Sequence, residues 1–214
     1  CVESATARLR AAGFSELQEA DVWSFLMPGA AHYVVREGTL VAWRMGTDSI
    51  PSAGFRLLGA HTDSPNLRLK PNADYVREGY TQWGVEVYGG VLTHTWFDRD
   101  LGLSGRAVLR GPHGPVLRTF RIDRPLARIP NLAIHLNRSI RTDGFKPNFQ
   151  QHLPPMLGLF QDGAPDVLPR LISDALDVDP GDFIGGDLML HDIQAPVLGG
   201  VNQEFVFAPR LDNQ

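Results

Sequence analysis

The β-patterned stretch from Gly84 to about Arg121 is the feature that most constrains how this chain can fold. β-Branched or aromatic residues alternate there with polar ones, and the pairs Gly89-Gly90, Gly111-Pro112 and Gly114-Pro115 interrupt the alternation. A period of two places one set of side chains on each face of a strand, and such glycine and proline pairs favour turns. The stretch therefore predicts a β-meander.

Helical patterns lie on both sides of this stretch. Val2 to Ala12 carries apolar residues at helical spacing and is followed by Gly13, which favours a left-handed helix end. Val167 to Leu176 forms one apolar helical stripe, which we interpret as core or subunit interface and not as a membrane face. The chain therefore combines helices with a β-rich region.

Short strand-like runs complete the pattern. Tyr33–Val35 and Thr39–Trp43 predict a hairpin, Phe55–Ala60 predicts a buried strand, and Asp187–Ile193 and Glu204–Ala208 predict two further strands. Helix, hairpin and buried strand in this order favour an α/β sheet with its chemistry at a strand end. We expect a β-rich domain inserted between two pieces of an α/β domain.

Composition excludes several classes of protein. The 214 residues are 43% hydrophobic, and 20 basic against 24 acidic side chains give a formal charge of −4. This balance suits a globular core, and it provides no basic field for nucleic acid or an anionic membrane. A single cysteine, no long apolar run and no signal pattern favour a cytoplasmic setting.

His61-Thr62-Asp63 is the first candidate for chemistry, because it follows the predicted buried strand directly. Side chains two residues apart in an extended segment share a face, so His61 and Asp63 would point the same way. A metal-bound imidazole usually donates its second N–H to a carboxylate, which fixes the tautomer and the ring orientation. The alternative is a strand-end histidine followed by a turn-forming aspartate.

Asp212-Asn213, just after the last predicted strand, is the second candidate. An aspartate there could bridge two divalent metals, which commonly lie about 3.5–4 Å apart in hydrolytic sites. The same dipeptide is also frequent in simple turns. The sequence contains no HExxH, paired CxxC, GxSxG, P-loop or GxGxxG motif, which argues against single-zinc proteases, zinc fingers, serine hydrolases and nucleotide-binding folds.

Four longer segments are more specific than either pair. They are Gly59–Pro71 (GAHTDSPNLRLKP), Tyr88–Arg106 with its core HTWFDRDL, Ile129–Leu136 (IPNLAIHL) and Phe205–Asn213 (FVFAPRLDN). In this order they closely resemble the signatures of the aspartyl aminopeptidase family of cocatalytic zinc metallopeptidases. The matches span essentially the whole chain.

The resemblance implies a fold and an organisation. It implies an α/β zinc-peptidase sheet domain of phosphorylase/hydrolase type, incomplete here, with an inserted β-rich dimerisation domain. Residues 1–72 would start the metallopeptidase domain, 73–200 would form the insert, and 201–214 would return to the metallopeptidase domain. Members of the family self-associate into a large homo-oligomer around their active sites.

The resemblance also implies an activity and roles for individual residues. The family removes N-terminal residues from peptides, with a preference for aspartate or glutamate, through a water activated by two zinc ions. His61 would bind one zinc, Asp63 would orient His61, and Asp212 would bridge both zincs. His135 would bind substrate in the active site of a neighbouring subunit.

Part of the family's site has no counterpart in these 214 residues. The proton-accepting glutamate and the other zinc ligands lie beyond the Asp-Asn motif, so we expect an N-terminal portion of such an enzyme. Two alternatives stay open: a catalytically silent oligomerisation or interaction fragment, and a related dizinc amide hydrolase with another substrate. A Glu-Glu pair further along the natural chain, and zinc analysis, would separate the first alternative from the peptidase. Hydrolysis of peptides that begin with aspartate or glutamate would separate the second.

Two remaining motifs receive structural interpretations. Asp98-Arg99-Asp100 is interpreted as an ion-pair cluster within the insert, and not as a catalytic group. His94, beside Trp96, is interpreted as a structural or interface residue in preference to a substrate contact.

Overall fold

The computed structural model describes residues 1–24, 27–160 and 166–210. The chain divides into two compact units, of which the first is Cys1–Ser64 and the second begins at Pro65. A continuous strand, Asn66–Arg77, runs through the position at which the sequence predicts the start of the insert. The division into a peptidase domain and an insert stays a prediction.

The first unit combines two helices with a three-stranded sheet. Its elements are α1 (Val2–Ala11), β1 (Ser15–Glu16), β2 (Ala31–Arg36), β3 (Thr39–Arg44) and α2 (Ile50–Ala53). β2 lies between β1, to which it is parallel, and β3, to which it is antiparallel. The predicted hairpin is confirmed, and so is the predicted helix, which is followed by Gly13 at a φ of 81°.

The predicted strand at Phe55–Ala60 is wrong for this structure. Residues 54–65 have no regular secondary structure, and Leu57 and Leu58 are fully exposed at 89% and 102%. A short apolar run becomes a buried strand only when neighbouring strands satisfy its backbone groups and cover its side chains. No described strand pairs with this run, so its apolar character alone does not make it a strand.

The second unit is built around a six-stranded antiparallel sheet. Its strands are β4 (Asn66–Arg77), β5 (Tyr80–Tyr88), β6 (Leu101–Gly111), β7 (Gly114–Ala127), β8 (Met156–Leu159) and β9 (Phe183–Asp192), in the spatial order β7-β6-β9-β4-β5-β8. A separate two-stranded hairpin contains β10 (Val197–Gly199) and β11 (Phe205–Phe207). The helices are α3 (Ile140–Asp143), α4 (Phe149–His152) and α5 (Val167–Leu176), and 3-10 turns span Thr93–Trp96 and Pro180–Asp182.

The strand order corrects the predicted meander. The β6–β7 hairpin is present, but β5 and β6 are not neighbours, because β9 and β4 both lie between them. A meander requires consecutive strands to be joined by tight turns, whereas twelve residues with a 3-10 turn connect β5 to β6. Alternation therefore identified strands in this stretch but not their pairing.

The core of the second unit lies between the sheet and α5. Leu168, Ile172 and Leu176 of α5 are buried, and the helix packs against β4, β7 and β9, which confirms the interpretation of the stripe as core. On β6, a side chain at Gly105 would place its Cβ 2.2 Å from the carbonyl oxygen of Asp187. Glycine is therefore required there for β6 and β9 to approach each other.

No helix in the described ranges is both long enough and apolar enough to cross a lipid bilayer.

Candidate metal site

His61 and Asp63 contact each other directly in the first unit. The Nδ1 atom of His61 lies 3.1 Å from Oδ1 of Asp63 and 2.9 Å from the Asp63 carbonyl oxygen. Between them, Thr62 donates from Oγ1 to the carbonyl of Gly38 at 3.0 Å, which ties the segment to the β2–β3 turn. The structure therefore brings together the histidine and the carboxylate that the sequence pairs, although not on a strand.

This contact suits a metal-binding histidine. Both neighbouring oxygens of Asp63 are acceptors, so the ring carries its proton on Nδ1 when it donates to them, and the lone pair is then on Nε2. Histidines that bind zinc usually donate their other ring N–H to a carboxylate in this way. The residues present thus fit a nitrogen ligand of zinc, with both side chains more than half exposed, at 56% and 54%.

The other predicted site residues lie elsewhere. His135 is exposed in a turn between β7 and α3, in the second unit. Asp212 lies outside the described residues. Across the parts of the chain that the structure describes, no three or more His, Cys, Asp or Glu side chains form a group that could hold a metal ion.

A half-open cavity of about 270 Å³ lies in the second unit, beneath the segment that carries His135. Phe97 and Phe145 meet edge to face within its lining, with ring centroids 4.8 Å apart. Leu132 and Asn137 line the cavity and His135 does not. The cavity therefore gives no support to the substrate-binding role predicted for His135.

The Asp98-Arg99-Asp100 segment forms the predicted ion-pair cluster. Asp100 accepts from Arg128 at 2.7 Å, and Arg99 donates from Nε to Asp192 at 2.6 Å. Asp98 has a positive φ of 57°, and its carboxylate accepts from the backbone and side-chain nitrogens of Asn131. These contacts tie the start of β6 to the ends of β7 and β9. The structural or interface role of His94, in the adjoining 3-10 turn, stays a prediction.

Asp192, at the end of β9, is a buried carboxylate that the sequence did not single out. Its side chain is 5% exposed, and it accepts from Arg99, from Arg210 Nη1 at 2.8 Å and from the backbone N–H of Gln194 at 2.9 Å. Burial alone would raise the pKa of Asp192, but these hydrogen bonds outweigh burial and hold the pKa below its ordinary value. The one signal in the sequence is the position of Arg210 in the FVFAPRLDN segment.

The whole chain, residues 1–214, matches the family model described as aminopeptidase I zinc metalloprotease (M18). A probable M18 family aminopeptidase 2 from Streptomyces avermitilis is 45% identical over 212 residues, which cover 99% of this chain and 48% of the relative. An aspartyl aminopeptidase from Aspergillus oryzae is 39% identical over 249 aligned residues, covering 99% of this chain and 49% of the relative. The chain thus spans about half the length of the curated relatives it matches.

Two solved structures of related proteins resemble this chain in fold. The cryo-EM structure of the Ape4 and Nbr1 complex contains a chain with 37% identity and a TM-score of 0.86, covering 99% of this chain and 44% of that one. The mApe1 dodecamer of S. cerevisiae has 26% identity and a TM-score of 0.71, covering 96% and 47%. The α/β fold with a β-rich second part is therefore the fold of M18 aminopeptidases over this length. With the family model matched from the first residue to the last, the chain belongs to the M18 family of zinc metallo-aminopeptidases.

Proposed function

We propose that the protein to which this chain belongs is a zinc-dependent aminopeptidase that removes N-terminal residues, preferentially aspartate or glutamate, from peptides. The observation that carries the proposal is the family match over all 214 residues. The contact between His61 Nδ1 and Asp63 supports it, because the family description names zinc and this pair suits a zinc ligand. The acidic preference is supported by the 39% identical relative called an aspartyl aminopeptidase.

Each site residue has a defined part in this proposal. His61 would bind one of two zinc ions per subunit through Nε2, and Asp63 would hold its ring by accepting from Nδ1. Asp212 would bridge both ions through its two carboxylate oxygens. When bound, zinc supplies Lewis acidity and lowers the pKa of a coordinated water to about 7.

Self-association is the second part of the proposal. We propose that the chain forms part of a large homo-oligomer, in which His135 reaches the active site of a neighbouring subunit and binds substrate. The dodecamer of the related mApe1 supports an assembly of this kind. The exposed position of His135 in a turn is compatible with contact to another subunit.

The remaining parts of the proposal concern location and other partners. We propose cytoplasmic residence and no nucleic-acid or membrane partner, which the single cysteine and the net charge of −4 support. Fractionation of cells followed by immunoblotting tests the location directly.

Hydrolysis by the full-length protein tests the activity. We expect release of the first residue from peptides that begin with aspartate or glutamate, faster than from matched peptides that begin with alanine or leucine. Chelation should abolish hydrolysis, and added zinc should restore it. Efficient release of acyl groups from amides that have no free α-amino group would instead favour the related amide hydrolase.

Substitution of the bridging aspartate tests the metal site. Asp212→Ala in the full-length protein should lower bound zinc below two per subunit and reduce hydrolysis by about a thousandfold or more. Asp174→Ala, at an exposed position of α5, is the matched control and should leave both unchanged. Full activity of Asp212→Ala would overturn the zinc-bridge assignment.

A further inference from the structure

Arg210 is held from three directions by the second unit. Its Nη1 donates to Asp192 at 2.8 Å, and its Nη2 donates to the carbonyl of Thr95 at 3.0 Å. Its guanidinium also lies 3.9 Å from the ring centroid of Trp96, a side chain that is only 2% exposed. A planar guanidinium with two directed hydrogen bonds and a stacked aromatic ring has little freedom to move.

The anchor joins distant parts of the sequence. Thr95 and Trp96 belong to the 3-10 turn before β6, and Asp192 is the last residue of β9. Asp192 is itself fixed by Arg99, which also donates to Gln194. The contacts of Arg210 therefore attach its segment to the framework of the six-stranded sheet.

The preceding hairpin does not provide such an attachment. Among the described residues, β10 and β11 pair only with each other, in a sheet separate from the six-stranded one. All three residues of β11 are more than half exposed, at 56%, 56% and 52%. The chain thus passes from an exposed hairpin to an anchored arginine just before the predicted zinc-bridging aspartate.

We propose that Arg210, held by Asp192, Thr95 and Trp96, is a positioning residue for the zinc ligand predicted two residues later in the sequence, Asp212. The inference rests on the proposed function, because it takes Asp212 to be the bridging zinc ligand. Two residues of chain span at most about 7 Å, so an anchor at Arg210 would limit the space open to a ligand two residues later in the sequence. A carboxylate whose backbone is restrained before it binds metal loses less conformational entropy on binding.

Loss of the anchor should therefore weaken metal binding. Removal of residues that orient metal ligands typically lowers metal affinity by about 10- to 100-fold. Arg210→Met keeps the length of the side chain and removes both hydrogen bonds and the charge. Arg210→Lys keeps the charge, but its ammonium cannot reproduce the planar two-ended contact. Asp192→Asn keeps the shape of the acceptor and removes its charge.

The experiment uses the full-length protein and measures zinc affinity by competition with a chelator, together with kcat, KM and the Tm of the zinc-free protein. For Arg210→Met we expect zinc affinity at least about tenfold weaker, a lower kcat and a KM changed by less than about threefold. Arg210→Lys and Asp192→Asn should be intermediate. Arg121→Met, which removes an exposed ion pair with Asp123, is the matched control and should behave as wild type.

The outcomes separate this inference from the proposed function. If Arg210→Met lowers only the Tm of the zinc-free protein and binds zinc as wild type does below that Tm, Arg210 is merely structural and the inference is wrong. If Arg210→Met does not fold, wild-type zinc affinity in both Arg210→Lys and Asp192→Asn would overturn it equally. If Asp212→Ala binds two zincs with wild-type affinity, the proposed site itself has failed. Weak zinc binding by Asp212→Ala with normal binding by Arg210→Met would overturn the positioning role alone.

Discussion

Two segments of this chain lead to predicted zinc ligands, and the structure supports them differently. The segment around His61 has no regular secondary structure; His61 contacts Asp63, and Thr62 donates to the carbonyl of Gly38 in the β2–β3 turn. The segment that leads to Asp212 is anchored through Arg210 to Asp192, which is 5% exposed, and to elements more than a hundred residues away. The difference is that His61 contacts a carboxylate two residues away, whereas Arg210 is held by side chains and a carbonyl group that lie 18 to 115 residues away in the sequence.

Replacing Asp192, the buried carboxylate that holds Arg210, should have the largest effect on stability. Asp192→Ala leaves the guanidinium groups of Arg99 and Arg210 close together without their shared carboxylate. We expect a loss of about 3 kcal/mol in the free energy of unfolding of the second unit. Urea denaturation followed by the fluorescence of Trp83 and Trp96 measures it. A loss below about 0.5 kcal/mol, the level of an ordinary surface substitution, would contradict the assigned role.

Asp74 is a half-buried carboxylate whose described hydrogen-bond donors are neutral. It accepts from Trp83 Nε1 at 2.7 Å and from the backbone N–H of Leu168, in the first turn of α5, at 2.9 Å. Asp74→Ala leaves the fully buried indole N–H without its partner and removes a cap of α5, so we expect a loss of about 2 kcal/mol. The same denaturation experiment checks it, with the exposed Asp174→Ala as the control.

The two carboxylates should respond oppositely to pH. Hydrogen bonds hold the pKa of Asp192 below the ordinary 3.8, so its contribution is present above pH 3.8 and is lost as the pH falls through the lower pKa of the folded state. Burial raises the pKa of Asp74 despite its hydrogen bonds, so its contribution is present below pH 3.8 and is lost as the pH rises through the raised pKa.

Asparagine variants of Asp192 and Asp74 test these opposite pH dependences. As the pH is lowered, the stability deficit of Asp192→Asn relative to wild type should shrink, whereas wild type should gain stability relative to Asp74→Asn. Unfolding free energies at a series of pH values for the three proteins measure both trends. Parallel trends for the two variants would contradict the assigned directions of the pKa shifts.

The smallest effect on the free energy of unfolding is expected at His61, which is largely exposed. His61→Ala in the zinc-free protein removes a side chain that is 56% exposed, so we expect a change of less than about 0.5 kcal/mol in the free energy of unfolding. In the presence of zinc, the same substitution should reduce the increase in Tm that the metal gives the full-length protein, because one of the two zinc ions loses a ligand. An equal zinc-dependent increase in Tm for His61→Ala would contradict the ligand assignment.

Local pattern predicted much of this fold. The stripe of α5, the β2–β3 hairpin and the strands β6, β7, β9 and β11 follow from spacing and turn residues, because these depend on neighbours in sequence. The insertion of β9 between β6 and β4 was not predictable, because strand pairing over a hundred residues depends on packing. Phe55–Ala60 failed for a related reason, since an apolar run needs strands beside it to become one.

In the candidate site, too, contacts between sequence neighbours were predictable and contacts between distant residues were not. His61 and Asp63 are two residues apart, so their contact was accessible from the sequence. Asp192 was missed because nothing near it in sequence marks it as buried or as the partner of Arg210, 18 residues away. Its importance arises from the meeting of β9, the 3-10 turn and the chain after β11, which only tertiary structure reveals.

A crystal structure of the full-length protein with zinc, with anomalous data collected at the zinc edge, would show directly whether His61 and Asp212 bind the metal. We expect zinc with Nε2 of His61 and an oxygen of Asp212 at about 2.0–2.2 Å, and His61 Nδ1 still donating to Asp63. Zinc held by other residues, with both His61 and Asp212 outside bonding distance, would contradict it.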